Sequence, residues 1–206
     1  MLLPSILARM SKKQKPSKYL QPIRAKPFQE NTKSWMSLEE AGWELFIRQN
    51  IRDNSGGEWG AAHLIISYFF SKPTVYNTMY DRTGIAYPGI PTLEQVPGKR
   101  FEPDLPVYIL TSRSTGSAAE SFVYTMKHCR GAIVVGETAI GMAHPSKEVE
   151  VTPFFRVSVP FRRSENIVTK TDWEGIGVIP HIKVTASKAL EKALEDVEGK
   201  KLSGKR

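Results

Sequence analysis

Two short apolar runs flanking one amphipathic stretch leave this chain few ways to fold. Val107-Tyr108-Ile109-Leu110 and Ala132-Ile133-Val134-Val135 carry no charge, as is typical of strands covered on both faces. Between them, Ser117 to Cys129 places Ala118, Ala119, Phe122, Val123 and Met126 on one stripe of a helix. Gly131 stands where a helix stop is expected, and Gly136 closes the second run. Strand, helix, strand with both strands apolar is a parallel crossover unit, because parallel neighbours need a long connection between them. The rest of the chain extends that unit. Glu58 to Phe70 suits a helix after the breaker Ser55-Gly56-Gly57. Glu148–Thr152 and Phe155–Phe161 alternate in polarity about Pro153 and predict a β excursion. Ile182–Val184 predicts a third short strand. Thr185–Val197 predicts a closing helix, with Ala186, Ala189, Leu190, Ala193, Leu194 and Val197 at helical spacing. The expectation is one α/β domain with a mixed sheet over residues 37–198, followed by a basic tail over 199–206.

The net charge of +8 lies almost entirely outside that domain. Residues 1–33 hold eight Lys/Arg and one Asp/Glu, whereas the remainder holds 21 basic and 20 acidic residues. A nucleic-acid-binding domain carries its charge on the fold itself, so no nucleic-acid partner is expected. Residues 1–36 lack apolar periodicity and predict a basic, disordered arm. The absence of any acid before Glu30 admits a mitochondrial-type presequence as the sharper alternative, which the run Lys12-Lys13-Gln14-Lys15-Pro16 fits poorly. Leu2 to Ala8 is too short for a secretory signal and is broken by Pro4. A single cysteine, Cys129, rules out an intrachain disulfide and a cysteine-rich metal site. No apolar run is long enough to cross a bilayer. No metal and no cofactor is expected.

The run Thr111-Ser112-Arg113-Ser114-Thr115-Gly116-Ser117-Ala118-Ala119-Glu120 joins the end of a buried strand to the start of a helix. In α/β folds, sites gather at the carboxyl ends of strands. A serine there can expose its hydroxyl above the sheet, next to the unpaired N–H groups of a helix N-terminus, which suit a developing oxyanion. The same residues also read as an ordinary capping box, with serine at the N-cap and glutamate at N3. Both readings stand on local sequence.

The run Val107-Tyr108-Ile109-Leu110-Thr111-Ser112 through Ser117-Ala118-Ala119-Glu120 resembles the nucleophile region of the tail-specific, or C-terminal processing, serine peptidases. Gly131-Ala132-Ile133-Val134-Val135-Gly136-Glu137-Thr138 resembles the strand and turn that follow it in that family. Asp53-Asn54-Ser55-Gly56-Gly57 is similar to the family's D-L-R-x-N-x-G-G turn. Trp173-Glu174-Gly175-Ile176-Gly177-Val178-Ile179-Pro180-His181-Ile182 is similar to its C-terminal signature. The four matches occur in the family's order and cover residues 46–197. They look closest to the branch that includes the interphotoreceptor retinoid-binding protein repeats. The resemblance implies a crotonase-like (ClpP/crotonase type) core and hydrolysis of polypeptides near their C-termini through an acyl-enzyme. It implies Ser117 as nucleophile, the amides of Ala118 and of Gly56-Gly57 as oxyanion hole, and Glu120 as a supporting polar group. The glycines also fit a plain tight turn.

The chain departs from that family in two places. In Gly136-Glu137-Thr138-Ala139-Ile140-Gly141-Met142, Met142 occupies the position of the family's lysine and cannot accept a proton. The next residues, Ala143-His144-Pro145, resemble a variant in the retinoid-binding-like branch, which makes His144 the nearest candidate base. A loop histidine with no special role fits the same spacing. His128, away from the helix start, is expected at the surface, and His63 is a distant candidate. Second, Ile47-Arg48-Gln49-Asn50-Ile51-Arg52 puts polar side chains where the family has an apolar strand, as if the domain were incomplete or altered on its N-terminal side. The leading expectation is a serine-type peptidase. The alternatives are a catalytically silent relative that binds an apolar ligand such as a retinoid or fatty acid, and a fragment of a longer protein.

Overall fold

The computed structural model describes residues 47–202. The expected arm over residues 1–36 lies outside the described residues. Four parallel strands build the main sheet: β1 (Ile47–Asn50), β4 (Val107–Thr111), β5 (Ile133–Gly136) and β9 (Ile182–Lys183), in the order β1-β4-β5-β9. The predicted crossover is present: β4 leads into helix α2 (Ala118–Cys129), which returns to β5. Every residue of β4 is buried, because the sheet is covered on both faces. Val107 and Ile109 face a core with Phe122, Val123 and Met126 of α2, Ile66 of helix α1 (Trp59–Ser67), and Val134. Tyr108 and Leu110 face the other way, with Val135, against Ala189 and Ala193 of helix α3 (Ala189–Leu202). The two-residue period of the strand thus sorts one apolar run into two cores. Alanines at the α3 contact let that helix approach closely.

The antiparallel strands do not join the parallel sheet, so the expected mixed sheet resolves into separate sheets among the described residues. Strands β2 (Asn77–Asp81), β3 (Ala86–Pro88) and β8 (Arg162–Asn166) form a sheet of order β3-β2-β8. Strands β6 (Ser146–Thr152) and β7 (Phe155–Pro160) pair as a ribbon turning at Pro153-Phe154, which is the predicted excursion.

Helix boundaries also shift. α1 ends at Ser67, and Tyr68 and Phe69 enter the core from the turn that follows. The closing helix begins with a 3₁₀ turn, Ala186–Lys188, and continues to Leu202, past the expected end at Val197 and into the predicted tail. Gly131 adopts φ +72° just after α2, where Ala132 N–H donates to Met126 O at 2.9 Å. The polar residues described at the end of the first strand are not fully buried. Asn50 is exposed and Gln49 half-buried. Arg52 beyond it donates to Asn50 Oδ1 at 2.9 Å and to Ala186 O at 2.5 Å, tying the strand end to the start of the closing helix.

Candidate active site

Ser117 is the hinge between β4 and α2, and its backbone is under strain. Its φ of 51° with ψ of −120° lies outside the regions that L-residues favour. Ser117 and Lys170 are the non-glycine residues with positive φ among those described. Such a conformation costs on the order of 1–3 kcal/mol and persists only where the surroundings enforce it. The strand-to-helix turn that holds a nucleophilic serine above an α/β sheet has this character.

The enforcement is visible on both sides. The residues 51–56 turn and the residues 112–116 turn are hydrogen-bonded together. Thr115 Oγ1 donates to Ile51 O at 3.0 Å, Gly116 N–H donates to Asn54 O at 3.1 Å, and Ser112 Oγ donates to Arg52 O. Gly56 (φ +108°) lies directly against the serine. A Cβ added there would stand 2.7 Å from Ser117 Cβ and 2.8 Å from Gly116 O. The glycine is therefore required by close approach as well as by its backbone conformation.

On the other side stands Glu120, which is fully buried. Both residues of the capping box are in place, and its glutamate arm is closed by Ser117 N–H donating to Oε2 at 2.9 Å. The same carboxylate also accepts from Gly141 N–H at 2.7 Å and from Met142 N–H at 2.9 Å. Glu120 is thus more than a helix cap. It fastens the loop after β5 to the start of α2.

The amides near Ser117 divide into occupied and free. Gly56 N–H donates to Asn54 Oδ1 at 3.0 Å. The N–H groups of Gly57 and Ala118 donate to no group among the described residues. A Cβ on Gly56 would lie 3.1 Å from Ala118 N, so the glycine turn and the helix start adjoin. No described side chain is hydrogen-bonded to the hydroxyl of Ser117.

His144 lies two residues beyond Met142, in the loop that Glu120 fastens, and its ring is held elsewhere. Nε2 stands 3.1 Å from Asp172 Oδ2, and Nδ1 stands 3.9 Å from Glu174 Oε2. Glu174 Oε2 accepts the backbone N–H groups of Ala143 and His144, at 2.7 and 2.9 Å. The structure brings Ser117, Glu120, Gly56, Gly57 and Ala118 together, and it does not join His144 to Ser117 by a hydrogen bond. Asp172 and Glu174 were missed by sequence reasoning. Glu174 lies within the C-terminal signature and Asp172 just precedes it, but nothing local tells which loop they grip.

Among the other histidines, His63 is buried in the core. Its Nδ1 is 2.8 Å from Tyr76 Oη, its ring stacks on Trp59, and burial lowers its pKa. His128 lies against Tyr124 on α2, half-buried rather than at the surface. A cleft of about 670 Å³ opens at the carboxyl ends of β4, β5 and β9, lined in part by Arg113, Glu137, Ile140 and Lys183. Ile140 connects it to the serine turn, since its N–H donates to Thr115 O at 2.9 Å. Among the described residues, no group of His, Cys, Asp and Glu side chains is placed to hold a metal ion, and no helix is long and apolar enough to cross a membrane.

Residues 50–184 match Peptidase family S41. The chain is similar in fold to the photosystem II D1 C-terminal processing protease, with a TM-score of 0.53 and 21% identity over 75% of this chain and 38% of that one. It is similar to a lipoprotein from Streptococcus agalactiae, with a TM-score of 0.58 and 14% identity over 76% of this chain and 55% of that one. It is also similar to mature CPAF, with a TM-score of 0.53 and 14% identity over 82% of this chain and 45% of that one. The chain spans less than two thirds of each of these structures.

Proposed function

Since the chain belongs to peptidase family S41, we propose that it carries a serine-type peptidase site with Ser117 as nucleophile and a polypeptide as substrate. The observation that carries this reading is the strained Ser117 backbone beside two amides that have no acceptor among the described residues. A capping serine has no need of positive φ. A nucleophile that must stand clear of its own helix does. In the proposed reaction, Ser117 Oγ bonds to the scissile carbonyl carbon while its proton passes to a base. The charge on the carbonyl oxygen is held by Ala118 N–H and Gly57 N–H, with Gly56 shaping the turn. The C–N bond then breaks, the amine leaves with a proton, and water hydrolyses the ester to restore the serine.

His144 is the base in this reading. Its loop is fastened to the helix start by Glu120, through Gly141 and Met142. Catalytic hydrogen bonds are commonly long before substrate binds. The covered parallel sheet supports a crotonase-like core. The Ala143-His144-Pro145 run supports a place near the retinoid-binding-protein-like branch, and the likeness to a C-terminal processing protease supports cleavage near substrate C-termini.

A second reading, a silent relative that binds an apolar ligand, is favoured by the exposed Ile140, Met142 and Ile176, which are 46%, 54% and 67% exposed. A fluorophosphonate probe separates the two. Mass spectrometry after tryptic digestion is expected to find the adduct on Ser117 and to lose it in Ser117→Ala. A protein that stays unlabelled but binds a fluorescent fatty acid saturably supports the silent reading instead.

A further inference from the structure

The turn Asp172-Trp173-Glu174 grips His144 at both its backbone and its ring, and nothing in the capping or oxyanion geometry needs it. Trp173 is 5% exposed and packs against Tyr124 of α2, with ring centroids 5.0 Å apart. The turn is therefore anchored on the helix that Ser117 begins. Its two carboxylates have different tasks. Glu174 Oε2 takes the two backbone N–H groups of Ala143 and His144, which fixes where the ring starts from. Asp172 splits its oxygens: Oδ1 accepts Glu174 N–H at 2.9 Å, and Oδ2 faces His144 Nε2 at 3.1 Å.

We infer that Asp172 is a positioning residue that sets the tautomer of His144, putting the proton on Nε2 and the lone pair on Nδ1. A carboxylate offers only acceptors, so the ring nitrogen beside it must donate. Nδ1 then carries the lone pair of the neutral ring. It stands 3.9 Å from Glu174 Oε2, beyond hydrogen-bond distance, and that oxygen already accepts two backbone donors. Nδ1 is the nitrogen that takes the serine proton, and Nε2–H stays on Asp172 as the ring becomes charged. The proton count is unchanged, because Asp172 gives up none and accepts none. This rests on the reading of Ser117 as nucleophile and His144 as base.

The test exploits the split of Asp172. In Asp172→Asn, keeping the acceptor on Glu174 N–H turns the carboxamide NH₂ toward His144. Nε2 must then accept, and the proton moves to Nδ1. Long-range ¹H–¹⁵N spectra of histidine-labelled protein read the tautomer directly, with the His144 signals identified by their loss in His144→Gln. They are recorded at about pH 8.5, above the ordinary imidazole pKa of about 6.5. The expected result is an Nε2–H ring in the wild type and in Asp172→Glu, and an Nδ1–H ring in Asp172→Asn. The rate of fluorophosphonate labelling at Ser117 is expected to fall about 10²–10⁴-fold in Asp172→Asn and to recover in part in Asp172→Glu. An Nδ1–H ring in the wild type, or a tautomer indifferent to Asp172→Asn, overturns the inference. So does a flipped tautomer with an unchanged labelling rate. If the tautomer flips as expected but wild-type Ser117 is never labelled, Asp172's control of the ring stands and the peptidase reading falls.

Discussion

Removing the Glu120 carboxylate should cost more than any cap. Ordinary replacement of a helix N-cap costs about 0.5–2 kcal/mol. Glu120, however, is fully buried and accepts three backbone N–H bonds, from Ser117, Gly141 and Met142. Glu120→Ala leaves all three donors without an acceptor. A buried orphan costs about 1–3 kcal/mol, which applies in full to the Gly141 donor and in part to those of Ser117 and Met142, whose bonds are half-buried. Water entering the space left behind offsets part of that, so the expected loss is about 3–5 kcal/mol. Glu120→Gln is the informative companion. With its carbonyl in the place of Oε2 it still serves Ser117 and Met142, but its NH₂ then faces the Gly141 N–H, donor to donor. One lost bond in place of three sets the expectation at about 1–3 kcal/mol. Urea denaturation reads both, as a fall in midpoint at unchanged slope. Out of a typical total of about 5–15 kcal/mol, that loss is a fifth or more of the whole. A loss below about 1 kcal/mol for Glu120→Ala would refute the claim that this carboxylate fastens the loop to the helix.

Gly56→Ala is expected to abolish labelling of Ser117 and to lower stability by more than about 2 kcal/mol, because the added methyl would meet Ser117 Cβ and Gly116 O at φ +108°; unchanged labelling would contradict the packing of the two turns. Acid should destabilise the fold. Burial, first among the causes, lowers the pKa of His63, His128 and His181, with Lys127 adding to the last two. Groups that take up protons more readily when unfolded leave stability whole above the unfolded value of about 6.5 and remove it as pH falls from there toward the depressed folded values. His181 gives this a visible contact, since its Nδ1 accepts Val134 N–H at 3.0 Å and cannot do so once protonated. A melting temperature constant from about pH 7.5 to 5 would count against this. Burial likewise raises the pKa of the Cys129 thiol, so alkylation by iodoacetamide at neutral pH should be slow in the native protein and fast in urea; equal rates would contradict its placement.

The parallel core was legible in the sequence because its signal is local. Val107–Leu110 and Ala132–Val135 are uniformly apolar, and a strand buried on both faces has no other pattern open to it. The α2 stripe, the glycine after it and the Ser117–Glu120 pair are likewise set by spacing within one turn or one strand. Strands β2, β3 and β8 were not legible. Asn77–Asp81 and Arg162–Asn166 carry no apolar alternation, and their pairing, such as Met79 with Ser164, spans more than eighty residues. What they gain comes from each other, not from their own pattern. The site divides along the same line. Residue types at a helix start identify Ser117, Ala118 and Glu120, and a glycine pair marks the turn at Gly56. Only the tertiary structure decided that Glu120 would also hold Gly141 and Met142, that Gly56 N–H would be taken by Asn54, and that His144 would meet Asp172 and Glu174. Those choices are contacts between segments distant in the chain. No local propensity encodes such a contact, because its energy exists only once both partners have been brought together.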